Sequence, residues 1–399
     1  MFKNLKVSLF LACKSIKRGN IGTTILTVMI MSLIFVNLIF LPSIVNGIGE
    51  TIIQQSIDCV YGNLIIEPKE DNLYINNVNS IQKKLNSLPG VVGTSARYVT
   101  GATFTHKSKF VSGAVHSMNP TDEEAVTIFH KGLIAGEYLS KEDTDEILLG
   151  VEITGKEGVE GEEADLGGVT VGDKITITFS NGVIREYRLK GIFDISVMSI
   201  NSYAFITEKE MESVLGLENK ASEILVKVSQ RGTEEEFKKK FMELGISDDI
   251  KTWKEKLVGV MESILGSFSL ITFISTIISL IMAVVVIFII IYINTVNKRK
   301  QIGILKAIGI NQKVIIHSYV MQALFYCFSG IVIGSILLWF LVSYMVANPI
   351  SFPMGDVSPL VEQQLIVTSM VSLIIVSLVA GFIPSWKTAR ENILKAIWG

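Results

Sequence analysis

The sequence predicts a membrane α-helical protein with an α+β extracytoplasmic domain. Four transmembrane helices carry a large domain inserted between helices 1 and 2. Three observations lead there. Hydrophobic residues make up 49% of 399 residues, and mean hydropathy is +0.47, high for a soluble chain of this size. The apolar residues gather into four runs of about 20 residues, the length that crosses a bilayer core. Lys and Arg collect at one end of those runs, and acids collect between the first two.

Residues 1–20 read as an interfacial helix. Leu5, Leu9, Ala12 and Ile16 fall on one face, and Lys3, Lys14 and Lys17 on another, the pattern of a helix lying in the headgroup region. Residues 21–46 form the first span. Its apolar run is too long for a signal peptide, and no small-x-small cleavage site follows at Leu41-Pro42-Ser43-Ile44. Within it, Asn37 can hydrogen-bond across a helix interface, and Pro42 can kink the outer end. Phe10-Leu11-Ala12-Cys13 only faintly imitates a lipoprotein box. Cys13, Cys59 and Cys327 fall in three different compartments, so no disulfide framework is expected.

Residues 47–266 are long enough for a domain with its own core. Asn63 to Glu67 reads as a strand, and 81–88 as a helix stopped by Pro89-Gly90. Two alternating runs, 174–179 and 183–189, flank Asn181-Gly182. That dipeptide predicts a hairpin with a type I′ turn. Thr207 with Glu210, and Thr233 with Glu236, are spaced as capping boxes. The second would open a helix bearing Glu234–Lys238, Glu235–Lys239 and Glu236–Lys240 pairs and a Phe237, Phe241, Leu244 stripe, stopped at Gly245. Single helices alternating with hairpins favour α+β over a doubly wound sheet. The acidic clusters at 142–146 and 160–165 lack calcium-loop spacing. His106, His116 and His130 lack zinc spacing, and no nucleophile elbow appears. No catalytic, metal or cofactor site is expected in this chain.

The second span follows at 267–294 and a basic loop at 295–314. The third span is 315–346, an outer loop is 347–364, the fourth span is 365–384, ending at Pro384, and a C-terminal helix is 385–399. Gly330 and Gly334 in the third span make a G-x-x-x-G face for close packing. Trp386, Ala389, Ile393 and Ile397 give the last segment an apolar side. The loop 295–314 holds Lys298, Arg299 and Lys300, then Ile302, Leu305 and Ile308 at helical spacing. A charged, half-apolar helix at the mouth of a membrane domain suits docking of a soluble partner.

Charge sets the orientation. The two termini and the 295–314 loop carry thirteen basic residues against one acid, whereas 47–266 carries 23 against 35. The positive-inside rule places both termini and that loop in the cytoplasm of a multi-pass plasma (inner) membrane protein. An acidic exterior argues against nucleic acid as a partner. No Asp, Glu, Lys or Arg lies deep in a span, which argues against a channel or proton-coupled carrier. No G-x-x-x-x-G-K-[ST] is present, so any ATP chemistry belongs to another chain.

Residues 301–309, Gln-Ile-Gly-Ile-Leu-Lys-Ala-Ile-Gly, closely match a segment that follows the second span in one transporter family, with Gln301 where Glu is usual. Pro384, Ala389, Ala396 and Ile397 fit its C-terminal pattern, with Ile393 in place of the usual Pro. Residues 132–139, 171–175 and 203–207 resemble its periplasmic core. With the four-span layout, nearly the whole chain resembles the permease subunit of MacB/FtsX/LolC-type (type VII) ABC transporters. The resemblance implies a homo- or heterodimer of such subunits in membrane lipid, each docked on a P-loop ABC ATPase that holds ATP and Mg. It implies an ATPase-coupling helix formed by Lys298, Arg299, Lys300, Gln301, Ile302, Gly303, Leu305, Lys306, Ile308 and Gly309. It also implies export or extraction by mechanotransmission to the outside domain, with room for a periplasmic adaptor or an extracellular protein as a further partner. The alternative is an FtsX-like mechanotransmitter that regulates an extracellular hydrolase without transport. A third class is a membrane-anchored adhesion or sensory protein without an ATPase.

Overall fold

The computed structural model describes residues 2–17, 19–70, 72–155, 165–195, 200–352 and 355–390. The chain divides into two compact units. One comprises Met1–Gly49, Ser263–Ile350 and Val357–Gly399, and the other Glu50–Glu262 with Ser351–Asp356.

The first unit is helical. Its N-terminal helix is Phe2–Lys17, and among the described residues four helices are long and apolar enough to cross a membrane. The first span helix runs over Ile21–Gln55 with a π-helical turn at Ser56–Tyr61, well past the expected end at 46. Pro42 lies inside it without ending it. The second span helix is Trp253–Asn297, starting earlier than expected. It opens with a capping box that the sequence reading missed: Glu255 N–H donates to Thr252 Oγ1 (3.4 Å), and Thr252 N–H donates to Glu255 Oε2 (2.7 Å). The third span helix is Gln312–Ala347, with Asn311 Oδ1 accepting from Lys313 N–H at its start. The fourth, Gln363–Ala389, passes through Pro384, where the span was expected to stop. Pro removes one backbone donor, the one that would reach Ala380 O, and next to it the Ser385 and Thr388 hydroxyls donate to the carbonyls of Gly381 and Pro384. Residues 391–399, including Ile393, Ala396 and Ile397, lie outside the described residues.

These helices share one core. Met31, Phe35 and Ile39, Ala283 and Ile287, Ala323 and Cys327, and Leu373 and Ala380 are all buried together. A Cβ on Gly330 would sit 2.6 Å from Met31 Cβ, and one on Gly334 2.9 Å from Ser32 O. The third span therefore meets the first at backbone distance, as small residues permit in lipid. Asn37 accepts hydrogen bonds from Ser279 Oγ (2.8 Å) and Ser275 Oγ (3.2 Å) of the second span.

The second unit is α+β. Its strands are β1 (Leu64–Glu67), β2 (Ile75–Asn76), β3 (Val91–Arg97), β4 (Val99–His106), β5 (Lys109–Met118), β6 (Leu133–Gly136), β7 (Glu146–Gly150), β8 (Lys174–Phe179), β9 (Ile184–Phe193), β10 (Tyr203–Thr207), β11 (Lys220–Ala221), β12 (Glu223–Val228) and β13 (Asp249–Thr252). An antiparallel sheet has the order β13-β1-β12-β3. Helices Val78–Asn86 and Glu234–Glu243 supply Leu85, Phe237 and Phe241 to its core of Leu64, Ile66, Ile224 and Val226. The larger sheet, β6-β9-β7-β10-β5-β4-β8, closes on itself because β8 also pairs with β9. Closure pairs every strand of this sheet on both sides except the short β6, and Phe104, Val115, Ile147, Leu149, Ile177 and Tyr187 fill the interior.

Two local expectations fail here. The β8–β9 turn is not type I′. Gly182 N–H donates to Phe179 O (2.9 Å), so Ser180 and Asn181 are the central residues, and Gly182 alone takes positive φ, 85°. Asn181 instead uses its side chain, accepting from Val183 N–H and donating to Val214 O. The Thr233–Glu236 box does not form either. Thr233 Oγ1 donates to Gln230 O (2.7 Å). Glu234, drawn inward rather than paired with Lys238, accepts from Asn63 Nδ2, Trp253 Nε1 and Gly232 N–H. Lys238 pairs with Glu255, and of the three helical pairs expected, Glu236–Lys240 forms. Phe237 and Phe241 are buried, while Leu244 is half-buried. Thr207 behaves as expected, its hydroxyl accepting from Glu210 N–H (3.3 Å).

Candidate functional site

The segment between the second and third spans forms a helix over Arg299–Ala307. A Schellman motif ends it: Gly309, at φ 90°, donates to Lys306 O, and Ile310 N–H donates to Leu305 O. Gly309 is therefore a stop signal, required for its backbone.

The helix has two faces, and they divide the expected apolar residues Ile302, Leu305 and Ile308 between them. Ile302 and Gly303 are buried, and Leu305 is half-buried. Ile302 joins the core of its own unit, and Leu305 lines a cleft beneath the helix. Ile304 and Ile308 are 56% and 70% exposed. Ile304 was not among the expected residues, although its i,i+4 spacing with Ile308 was readable. Lys300 and Gln301 are exposed. Lys306 Nζ reaches Ala389 O (2.9 Å) at the end of the fourth span helix.

A cleft of about 260 Å3 lies under the inward face, between the N-terminal helix, this helix and the start of the third span helix. Lys298 Nζ donates across it to Ser15 O (3.1 Å) and to Ser15 Oγ. Ser15 Oγ in turn donates to Gln322 Oε1 (3.3 Å). Burial holds the Lys298 ammonium below its ordinary pKa, since desolvation disfavours the charged form.

In the second unit, the most heavily buried polar cluster is built on Arg97. Arg97 Nε donates to Glu123 Oε2 (3.1 Å), Nη2 donates to Glu123 Oε1, and Nη1 donates to Val60 O (3.1 Å). Ser95 Oγ and Thr127 Oγ1 also donate to the Glu123 carboxylate, each at 2.7 Å. Burial raises the Glu123 pKa, but Arg97 and the hydroxyls outweigh it and hold the carboxyl below its ordinary value. His116, stacked on Tyr203 at 4.5 Å, is pushed down to about 3 by burial and then by Arg97. All the carboxylate's bonds are made internally, so this cluster is structural. Among the described residues, no group of three or more His, Cys, Asp or Glu could hold a metal ion.

Among the described residues, four helices long and apolar enough to cross a membrane carry an α+β domain between the first and second. Residues 263–393 match the FtsX-like permease C-terminal family, so the chain carries an FtsX-like permease domain. Over 402 aligned residues it is 21% identical to a putative hemin transport system permease protein HrtB of Staphylococcus haemolyticus strain JCSC1435, covering 98% of this chain and 99% of that one. It is 31% identical to the protein of that name from Staphylococcus epidermidis strain ATCC 12228, over 27% of this chain and 29% of that one. Among solved structures, it is similar to the extracellular domain of the ABC-type transporter YknZ from Gram-positive bacteria, with TM-score 0.36 and 12% identity over 47% of this chain and 97% of that one. It is also similar to the periplasmic region of MacB from Actinobacillus actinomycetemcomitans, with TM-score 0.37 and 11% identity over 49% and 91%.

Proposed function

We propose that this chain is the membrane subunit of an ABC transporter of FtsX/MacB type and works by mechanotransmission. A separate P-loop ATPase, holding ATP and Mg, docks on the helix Arg299–Ala307 at the cytoplasmic face. Its motion passes to the extracytoplasmic domain, which expels or extracts a substrate. A second permease subunit completes the assembly. In this reading both termini lie in the cytoplasm, which the basic residues at 1–20, 295–314 and 385–399 support. The relatives' names make hemin the first substrate to test.

The observation that carries this reading is the exposed Ile304–Ile308 pair, two large apolar side chains on a basic helix within the matched permease region. Fully burying such a side chain contributes roughly 1.5–3 kcal/mol, so each would supply about 1–2 kcal/mol at its exposure. Ile304→Asp and Ile308→Asp should each weaken co-purification of the ATPase with the tagged chain by at least tenfold and uncouple ATP turnover from transport. Membrane insertion should be unchanged. Retention of a P-loop ATPase at full yield by the double variant would refute the docking assignment.

A further inference from the structure

The cleft beneath the coupling helix is chemically one-sided. Its polar lining is Lys14, Ser15, Lys298, Gln301, Ser318, Tyr319 and Gln322, with no carboxylate among its lining residues, and the Lys14 ammonium lies 5.4 Å from the centre of the neighbouring Phe10 ring. Ser318, Tyr319 and Gln322 are 5%, 5% and 1% exposed, so packing holds these polar side chains in place. Its apolar lining is Leu11, Ile302, Leu305 and Ile315. The second span ends at Asn297 and the third begins at Gln312, which puts the cleft at headgroup depth. The N-terminal helix at its rim exposes Leu9 (53%) and Phe10 (62%) beside Lys6, Lys14 and Lys17, the face of an interfacial helix.

We infer that this cleft binds the phosphate of an anionic membrane lipid, with Lys14 and Lys298 as its cationic ligands and the apolar lining against the start of an acyl chain. Basic pockets between membrane helices on the cytoplasmic side suit such headgroups. About 260 Å3 is smaller than the pockets that enclose drug-sized ligands, so it accepts a headgroup and leaves the chains in the bilayer. The apolar rim favours a lipid over free phosphate. Because Lys298 already bonds Ser15, a bound headgroup would tie the N-terminal helix to the coupling helix. The site is separate from the outward Ile304–Ile308 face, so failure of ATPase docking leaves it standing, and the reverse holds.

The test uses the full chain in neutral detergent, with native mass spectrometry and thermal melting as readouts. Short-chain phosphatidylglycerol should bind and raise the melting temperature, whereas short-chain phosphatidylcholine and inorganic phosphate at equal concentration should not. Each lysine near an anionic headgroup contributes about fivefold. Lys14→Gln, an exposed change that leaves the fold intact, should weaken binding about fivefold, and Lys14→Gln with Lys298→Gln about 25-fold. Lys387→Gln, in the last turn of the fourth span helix, should leave it unchanged. Equal loss in Lys387→Gln, or equal binding of phosphatidylcholine, would overturn the site. Stabilisation by inorganic phosphate alone would overturn the lipid as its source.

Discussion

Replacing Glu123 with alanine would leave the Arg97 guanidinium, 2% exposed, without the carboxylate that neutralises it. Removing one partner of a buried ion pair costs about 3–5 kcal/mol, because the remaining charge stays desolvated. Glu223 remains as a second, longer ion-pair partner of Arg97 and draws the loss toward the lower figure. Glu223 Oε1 is 3.7 Å from Arg97 Nη1, and Ser95 and Thr127 lose the acceptor they share. For a domain of about 200 residues, each kcal/mol shifts the melting temperature by about 2–4 °C, which gives a fall of roughly 6–20 °C. Circular dichroism melting of the full chain in detergent at pH 7 reads it. The pH dependence supplies a second check. The folded pKa of Glu123 lies below its ordinary value, so its contribution is complete above the unfolded value of about 4.3 and is lost as pH falls through the folded one. The gap between wild type and Glu123→Ala should hold steady from pH 8 to about 5 and shrink in stronger acid. A shift under 2 °C at pH 7, or a gap that widens in acid, would refute the assignment of the pair as a structural anchor.

Two further outcomes follow from packing and burial. His116 is held neutral with its pKa pushed down to about 3, while the unfolded chain protonates near 6.5. Its contribution is therefore complete above about 6.5 and drains away as pH falls toward 3. His116→Phe, which keeps the stack on Tyr203, should flatten the fall in stability between pH 6.5 and 4.5, and an unchanged slope in pH-dependent melting would count against it. In the membrane unit, Gly330→Leu forces atoms into the 2.6 Å gap to Met31. Overpacking of this kind costs about 1–3 kcal/mol, read as earlier unfolding in denaturing detergent, and wild-type resistance would show that the first and third spans do not meet there.

The large features were legible because they rest on composition and on patterns that local chemistry enforces. Four apolar runs became four long helices, since hydrocarbon leaves backbone groups no partner but each other. The alternation of 174–179 and 183–189 became β8 and β9, and Thr207 capped its helix. Errors arose where a residue had competing partners. Thr233 and Glu236 have the spacing of a capping box, but Gln230 O captures the hydroxyl, and Glu234 turns inward to Asn63 and Trp253. Asn181-Gly182 suits two turn types, and the bonds that Asn181 makes to Val183 and Val214 accompany the one adopted. Pro384 reads as a terminator, yet the helix passes through it where Ser385 and Thr388 bond carbonyls one turn back.

The sequence alone determined the membrane class, the insertion of a domain between the first two spans, and the presence of a short basic helix before the third. Hydropathy and charge are sums over residues, and they survive without knowledge of contacts. Only the tertiary structure decided which way that helix faces. Ile302, Ile304, Leu305 and Ile308 are equally apolar in a list. Ile302 joins the helical core and Leu305 lines the cleft beneath it, and among the described residues nothing buries Ile304 or Ile308. A helical period fixes which residues share a face, but only the elements packed against a helix decide which face is left for a partner.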